Sequence, residues 1–258
     1  PHQGQMECAE FISRLLEGSR LVSAPGELRV QDAYSIRCIP QVHGATRDVL
    51  EYVRKVINTE INSVSDNPLV FPDGQVISAG NFHGQPVALA MDFLSIATAE
   101  LGNISERRIE RLLNPALSGL PPFLAVQGGI NSGFMISQYT AASLVSENKV
   151  LSAPASTDSI PVSASQEDHV SMGTIAARKA RAVVKNVARI LAIELMCACQ
   201  ALEFQGPEKL APGTRRIYDL VRQVLPSLEE DRWLHPDIEA VTELVAEGRI
   251  AEVAVAAG

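Results

Sequence analysis

The longest helix that the sequence predicts covers residues 167–204, and this segment limits the possible folds more than any other feature. Good helix formers and apolar side chains recur there at helical spacing. At about 1.5 Å per residue the helix would be about 55 Å long, more than an ordinary domain needs. Ser165 and Asp168 have the spacing of a capping pair, which places the start near Glu167. A rod of this length predicts a helical bundle.

The rest of the chain also predicts an all-α protein. Apolar residues recur at helical spacing, whereas hardly any segment alternates as a strand does. One small hairpin is expected after Asn62. We expect a helix after Pro40, whose inward face comprises Val49, Val53, Val56, Ile57 and Ile61. Further helices are expected over residues 5–18, 86–113, 132–151, 214–224 and 236–247.

Composition excludes several classes of partner. The net charge of −8, from 30 acidic and 22 basic residues without a dense basic block, argues against nucleic acid and anionic membranes and favours a small soluble ligand. The most apolar stretch, residues 190–204, contains two glutamates and is too short for a membrane span. The four cysteines have neither disulfide nor zinc spacing, and we expect Cys197 and Cys199 to be core thiols in a cytoplasmic protein.

Reactive side chains concentrate in three clusters, at residues 31–37, 80–84 and 165–169. Arg37 offers a planar fork for a carboxylate, and Tyr34 lies one helical turn before it. The alternative is a structural arginine paired with Asp32 or Asp48. Long ordered loops in a compact domain are usually functional, which draws attention to the other two clusters.

The other two clusters also have simpler interpretations. Glu167 at a helix start could be a tuned acid or base, or could merely complement the helix dipole. His83 and His169 suggest a metal site with Glu167 or Asp168, but no fixed ligand spacing supports it, and we expect no metal. Phe82 could contact a substrate ring or could pack its own loop.

Six fragments occur in the same order as in a known family. They are QDAYSIRCIPQVHG, EINSVSDNPLVFPDG, SAGNFHGQPVALAMDF, NPALSGLPPFL, GGINSGFMISQYTAASLVSENK and SQEDHVSMG. On these motifs the chain resembles the histidine and aromatic amino-acid ammonia-lyases and aminomutases, which use a methylidene-imidazolone electrophile. The resemblance runs along the whole chain.

The resemblance implies a superhelical long-helix bundle of the fumarase/aspartase type, assembled as a homotetramer with active sites built from several subunits. It implies that Arg37 holds the carboxylate of an amino-acid substrate and that Tyr34 stands beside the electrophile. Gln31 would line the site and Phe82 would contact the substrate ring. Gln166 and Glu167 would face substrate and electrophile.

The motif QEDH, with its glutamate, resembles the pattern of the histidine enzymes of this family. A carboxylate at this position can accept a hydrogen bond from an imidazole N–H. The implied reaction is the deamination of L-histidine to urocanate and ammonia. A tyrosine or phenylalanine ammonia-lyase or aminomutase stays open as the alternative. An inactive helical scaffold is the alternative of another class.

The sequence departs from the family at the electrophile, which forms autocatalytically from an Ala-Ser-Gly triad. No Ala-Ser-Gly occurs among the 258 residues. We therefore expect residues 1–258 to be the C-terminal part of a single ammonia-lyase domain, with the electrophile on a missing N-terminal segment or a companion chain. Alone, this polypeptide is expected to be inactive.

Overall fold

The computed structural model describes residues 1–256 and confirms the all-α prediction. The helices are α1 Gln3–Leu15, α2 Tyr34–Arg37, α3 Ile39–Ile61, α4 Gln85–Leu113, α5 Pro115–Ser118, α6 Met135–Leu151, α7 Gly173–Gln205, α8 Pro212–Arg222, α9 His235–Ala246 and α10 Arg249–Val255. Short 3-10 helices lie at Pro122–Leu124 and Pro207–Lys209. The predicted hairpin is present as the antiparallel strands β1 Leu69–Val70 and β2 Val76–Ile77.

Helices α4 and α7 form the centre of the bundle and run parallel. At one end, Gly173 approaches the carbonyl of Gly84, just before α4. At the other end, Arg108 of α4 binds Glu194 of α7. Between these points Gly102 lets the two helices pack closely.

Helices α3 and α6 run antiparallel to this central pair. Thr46 Oγ1 of α3 donates to the carbonyl of Ala97 in α4 at 3.3 Å. Asn148 of α6 is buried and binds Asn186 of α7 at 3.0 Å. Helices α8 and α9 close the apolar core on the far side of α7, with buried Val221 and Val241 among its members.

The predicted start of the long helix is wrong. Helix α7 begins at Gly173, so Ser165 and Asp168 cap nothing, and the rod is about 50 Å long at about 1.5 Å per residue. The reason is a run of left-handed backbone just upstream, described below. Among the residues expected to face the core from α3, Val53 is buried, whereas Ile61 is 74% exposed.

In the part of the chain from residue 1 to 256, α4 has the length and hydropathy that a membrane span requires. Buried helices of globular bundles meet the same criterion. Helix α4 buries Asp92, Ser105 and Glu106, and it packs along its length against α7. Its hydropathy is accounted for by its place in the bundle centre.

Cys197 and Cys199 lie in α7 and are buried, which confirms that they are core thiols. Burial raises the pKa of both thiols, that of Cys199 to about 11. Both therefore stay protonated at neutral pH and act as small apolar side chains.

Candidate functional site

Helix α2 presents Tyr34 and Arg37 together on the surface. The spacing of one turn places both side chains on the same face, as predicted, and the Arg37 guanidinium lies over the Tyr34 ring, 4.5 Å from its centroid. Arg37 has no ion pair within residues 1–256, and Asp48 instead accepts from the backbone N–H of Gly4 at 2.8 Å. The structural pairing of Arg37 with Asp32 or Asp48 is therefore not formed, and its fork faces solvent. Gln31 lies exposed just before this helix.

The loop before α4 presents Phe82, whose ring is 55% exposed. Asn67 organises this loop, because its Oδ1 accepts from the hydroxyl of Ser78 at 3.2 Å and from the N–H of Ala79 at 3.1 Å. Gly84 then passes close to the next loop, since a Cβ there would lie 3.0 Å from Ser171 Oγ. Phe82 therefore stands on an ordered loop with about half of its surface open to solvent.

Gln166 and Glu167 follow a turn that L-residues rarely adopt. Ser163, Ala164 and Ser165 have φ values of 54°, 54° and 65°. A left-handed conformation costs about 1–2 kcal/mol per residue for side chains other than glycine. The turn is closed by paired hydrogen bonds between the backbones of Val162 and Glu167. Backbone strain of this kind concentrates at functional sites.

The position of Glu167 differs from the one expected. Glu167 is exposed on this turn, several residues before α7 begins. It therefore does not lie in the first turn of α7, where the helix dipole would act on it. Neither Gln166 nor Glu167 forms a side-chain hydrogen bond to any of the residues described. Both are therefore available to a ligand.

A histidine pair joins the Phe82 loop to the Glu167 loop. His83 Nε2 lies 3.1 Å from His169 Nδ1 and 3.2 Å from the His169 carbonyl, and the rings are stacked. A carbonyl only accepts, so Nε2 of His83 carries the proton, and Nδ1 of His169 is the acceptor. No group of three histidine, cysteine or acidic side chains suited to a metal lies within residues 1–256. The geometry thus assigns the pair a role in joining the loops.

The candidate residues form two groups at opposite ends of α4. Phe82, Gln166 and Glu167 lie at its N-terminal end, which we name the ring-side group. The carboxylate-side group, Gln31, Tyr34 and Arg37, lies at the other end, where Arg108 Nη1 donates to the Ser35 carbonyl at 3.3 Å. The helix from Gly84 to Arg108 spans about 35 Å at about 1.5 Å per residue.

This separation is far longer than an amino acid. One copy of the chain therefore cannot bring both groups to the same substrate, although each group alone has the side chains that the sequence predicts. A site that uses both requires at least a second copy of the chain.

Sequence reasoning missed the residues that support these groups. Arg108 and Glu194 form a largely buried bidentate pair, and Arg108 also binds α2. No local sequence signal distinguishes a buried helical arginine from a solvated one. The left-handed turn at residues 163–165 also lacks a signal, since it contains neither glycine nor asparagine. The sequence singled out His83 and His169 and favoured hydrogen-bonded roles over a metal site, but it did not predict that the two side chains contact each other.

The methylidene-imidazolone group would have to come from outside these residues, because the chain has no Ala-Ser-Gly from which to form it. The candidate side chains within residues 1–256 are an exposed phenol at Tyr34 and polar groups without side-chain hydrogen bonds at Gln166 and Glu167. Their chemistry suits contact with a polar ligand.

Comparisons with known proteins agree with the motifs. The family model described as aromatic amino acid lyase matches residues 1–223. A histidine ammonia-lyase of Symbiobacterium thermophilum is 64% identical over 100% of this chain and 51% of its own length. The crystal structure of histidine ammonia-lyase from Trypanosoma cruzi matches with a TM-score of 0.92 at 52% identity, over 100% of this chain and 48% of that one.

A tyrosine aminomutase from Streptomyces globisporus also has a TM-score of 0.92, at 40% identity over 98% of this chain and 52% of its own. The chain spans about half the length of the relatives it matches. The match to the histidine ammonia-lyase of Symbiobacterium thermophilum extends over the full chain. The chain belongs to the aromatic amino acid lyase family.

Proposed function

We propose that this chain works in the non-oxidative deamination of L-histidine to urocanate and ammonia, as the C-terminal part of a single ammonia-lyase domain. The observation that carries the proposal is the ring-side group, in which the Glu167 carboxylate and the Phe82 ring are on loops joined by the histidine pair. An apolar ring and a carboxylate acceptor on adjoining loops suit an imidazole that carries an N–H. The 64% identity to a histidine ammonia-lyase supports the same substrate.

Each group of side chains has its own task. Arg37 binds the substrate carboxylate with its planar fork, because no acidic residue of the described chain occupies it. Glu167 accepts the imidazole N–H, and Phe82 packs on the ring. Gln31 and Gln166 line the site with amides that orient polar groups.

The methylidene-imidazolone supplies the electrophile to which the substrate adds, and in this proposal it comes from an N-terminal segment or a companion chain. Tyr34 stands beside it, with an exposed phenol able to donate or accept a hydrogen bond. The polypeptide of 258 residues alone is expected to be inactive, since it has no Ala-Ser-Gly.

The distance between the groups supports an assembly of several copies. Because α4 keeps the groups about 35 Å apart, we propose that Arg37 of one copy and Glu167 of another meet at a shared site. We propose a homotetramer of the whole enzyme in the cytoplasm. Exposed apolar side chains along α3 and α4, such as Tyr52, Phe93 and Ile96, support burial against other copies.

A tyrosine-specific lyase or aminomutase is the second candidate. It is favoured by the 40% identity and the TM-score of 0.92 to a tyrosine aminomutase. The two candidates differ in the ring: a phenol has a single terminal hydroxyl, whereas an imidazole offers an N–H on the ring itself.

Denaturing mass spectrometry of the native enzyme that contains this chain is the first test. We expect a polypeptide mass lower than its sequence by two waters, which marks the formed electrophile. Steady-state assays with L-histidine, L-tyrosine and L-phenylalanine follow, and urocanate is the expected product. Release of ammonia by the isolated chain of 258 residues, or turnover of tyrosine in preference to histidine, would contradict the proposal.

A further inference from the structure

Helix α2 has only four residues, Tyr34–Arg37, and such a helix has no stability of its own. The Tyr34 carbonyl accepts from the N–H of Cys38, and the carbonyls that follow need donors from outside the helix. One of them, the carbonyl of Ser35, accepts from Arg108 Nη1 at 3.3 Å. Contacts from outside α2 must fix the direction of Tyr34 and Arg37. Within residues 1–256, Arg108 supplies the side-chain hydrogen bond from α4 to this helix.

Arg108 is itself held from both sides. Its Nε and Nη2 bind the two carboxylate oxygens of Glu194 in α7, the latter at 3.0 Å. Ser105 Oγ donates to the same carboxylate at 2.6 Å. The side chains of Arg108 and Glu194 are only 14% and 19% exposed. The planar guanidinium is therefore fixed in orientation, and its remaining nitrogen points at α2.

His43 of α3 completes the cluster. Its Nε2 lies 3.4 Å from Arg108 Nη1. Burial and then the positive charge of Arg108 lower the pKa of His43, while Glu194 opposes this. A neutral ring places an acceptor at Nε2, so Arg108 Nη1 can donate both to α2 and to α3.

We propose that Arg108 is a positioning residue for the reaction: held by Glu194, it fixes α2 and so aims Tyr34 and Arg37 at the substrate. The kinetic test of this inference rests on the proposed function. In that function Arg108 contacts neither substrate nor electrophile, but it sets the geometry of Tyr34 and Arg37, which do.

The matched test compares Arg108→Lys with Arg189→Lys. Arg189 also forms a bidentate pair that joins two helices, with Glu239 of α9 at 2.9 and 3.4 Å, but it does not contact α2. Lysine keeps the charge in each case and loses the rigid fork, so at position 108 it cannot bind Glu194 and the Ser35 carbonyl in the same way. Any effect on α2 should be confined to the Arg108 variant.

The first readout is amide hydrogen exchange, which needs no activity. The N–H groups of Ile36 and Arg37 bond to the Ala33 carbonyl, and that of Cys38 bonds to Tyr34. In Arg108→Lys we expect these amides to exchange roughly tenfold faster, while those in the middle of α4 stay protected. Arg189→Lys should leave the α2 amides unchanged. Unchanged exchange of α2 in a folded Arg108→Lys would overturn the proposal.

The second readout is the kinetics of the native enzyme that contains this chain. We expect Arg108→Lys to raise KM and lower kcat, with kcat/KM falling about 10- to 100-fold because both side chains are displaced. If Arg108→Lys does not fold, the double variant Arg108→Gln/Glu194→Gln leaves no unpaired buried charge and is expected to show the same loss. A folded variant with the parent kcat and KM would contradict the inference. Absence of histidine turnover in the parent would instead refute the proposed function, and the exchange experiment would still decide the role of Arg108.

Discussion

Replacing Gly44 with alanine is expected to destabilise the crossing of α1 and α3. A Cβ at Gly44 would lie 2.5 Å from both the Cα and the N of Gln5, and 2.8 Å from the carbonyl carbon of Gly4. These are backbone atoms, which cannot rotate away, so the two helices would have to separate. Separation would also strain the bond from the Gly4 N–H to Asp48, now 2.8 Å long.

Two terms of opposite sign set the size of the effect. Alanine is favoured over glycine in a helix by about 1 kcal/mol. Overpacking typically costs about 1–3 kcal/mol, and rigid backbone places Gly44 at or beyond the upper end. We expect a net loss of about 2 kcal/mol, which for 150–250 residues corresponds to a fall in Tm of about 4–8 °C.

Gly102→Ala is the control, and thermal unfolding followed by far-UV circular dichroism is the assay. At Gly102 the nearest atoms are side-chain ends, Ile190 Cδ1 and Val187 Cγ2, both at 3.1 Å. They can rotate, so the gain in helix propensity offsets the crowding, and Tm is expected to change by less than about 3 °C. A Gly44→Ala protein that melts at or above the parent temperature would refute the reasoning, as would equal losses for the two variants.

Three further predictions concern single side chains. In the native enzyme, Glu167→Gln should lower kcat/KM for L-histidine about 10- to 100-fold, because a charge-assisted hydrogen bond is worth about 1.5–3 kcal/mol. The variant should change kcat/KM for L-tyrosine much less. Equal losses for the two substrates would argue against the imidazole contact. His83→Ala should speed amide exchange in residues 159–172 but not in α7, and unchanged exchange would show that the histidine pair does not hold the loop. Folding lowers the pKa of His43, so the unfolded chain binds this proton more readily than the folded chain. The free energy of unfolding should therefore fall as the pH drops below about 6.5. Urea titrations at several pH values should show a weaker pH dependence for His43→Gln.

The sequence was sufficient for the features that depend on local spacing. Helices α3 and α4 follow from apolar periodicity, and their ends agree with the predictions to within a residue or two. The shared face of Tyr34 and Arg37 follows from their separation by one turn. In these cases a single element contains all the information.

Long-range contacts could not be predicted in this way. The contact of His83 with His169 joins residues 86 apart, and Arg108 and Glu194 are equally far apart in sequence. The start of α7 was wrong for a related reason. The left-handed turn at residues 163–165 is maintained by the pairing of Val162 with Glu167, and neither its serines nor its alanine favour that conformation.

The parallel helices α4 and α7 connect the ring-side group to the carboxylate-side group, so their rigidity sets the position of one group relative to the other. Gly84 meets Gly173 beside the ring-side group, and Arg108 meets Glu194 beside the carboxylate-side group. The same two helices therefore fix the position of both groups within each copy. If sites form between copies, as proposed, any bend in this pair would displace Arg37 at one site and Glu167 at another. Close packing at Gly102, between these two contacts, resists such a bend. The length and rigidity of the two helices therefore serve the geometry of the sites as well as the stability of the core.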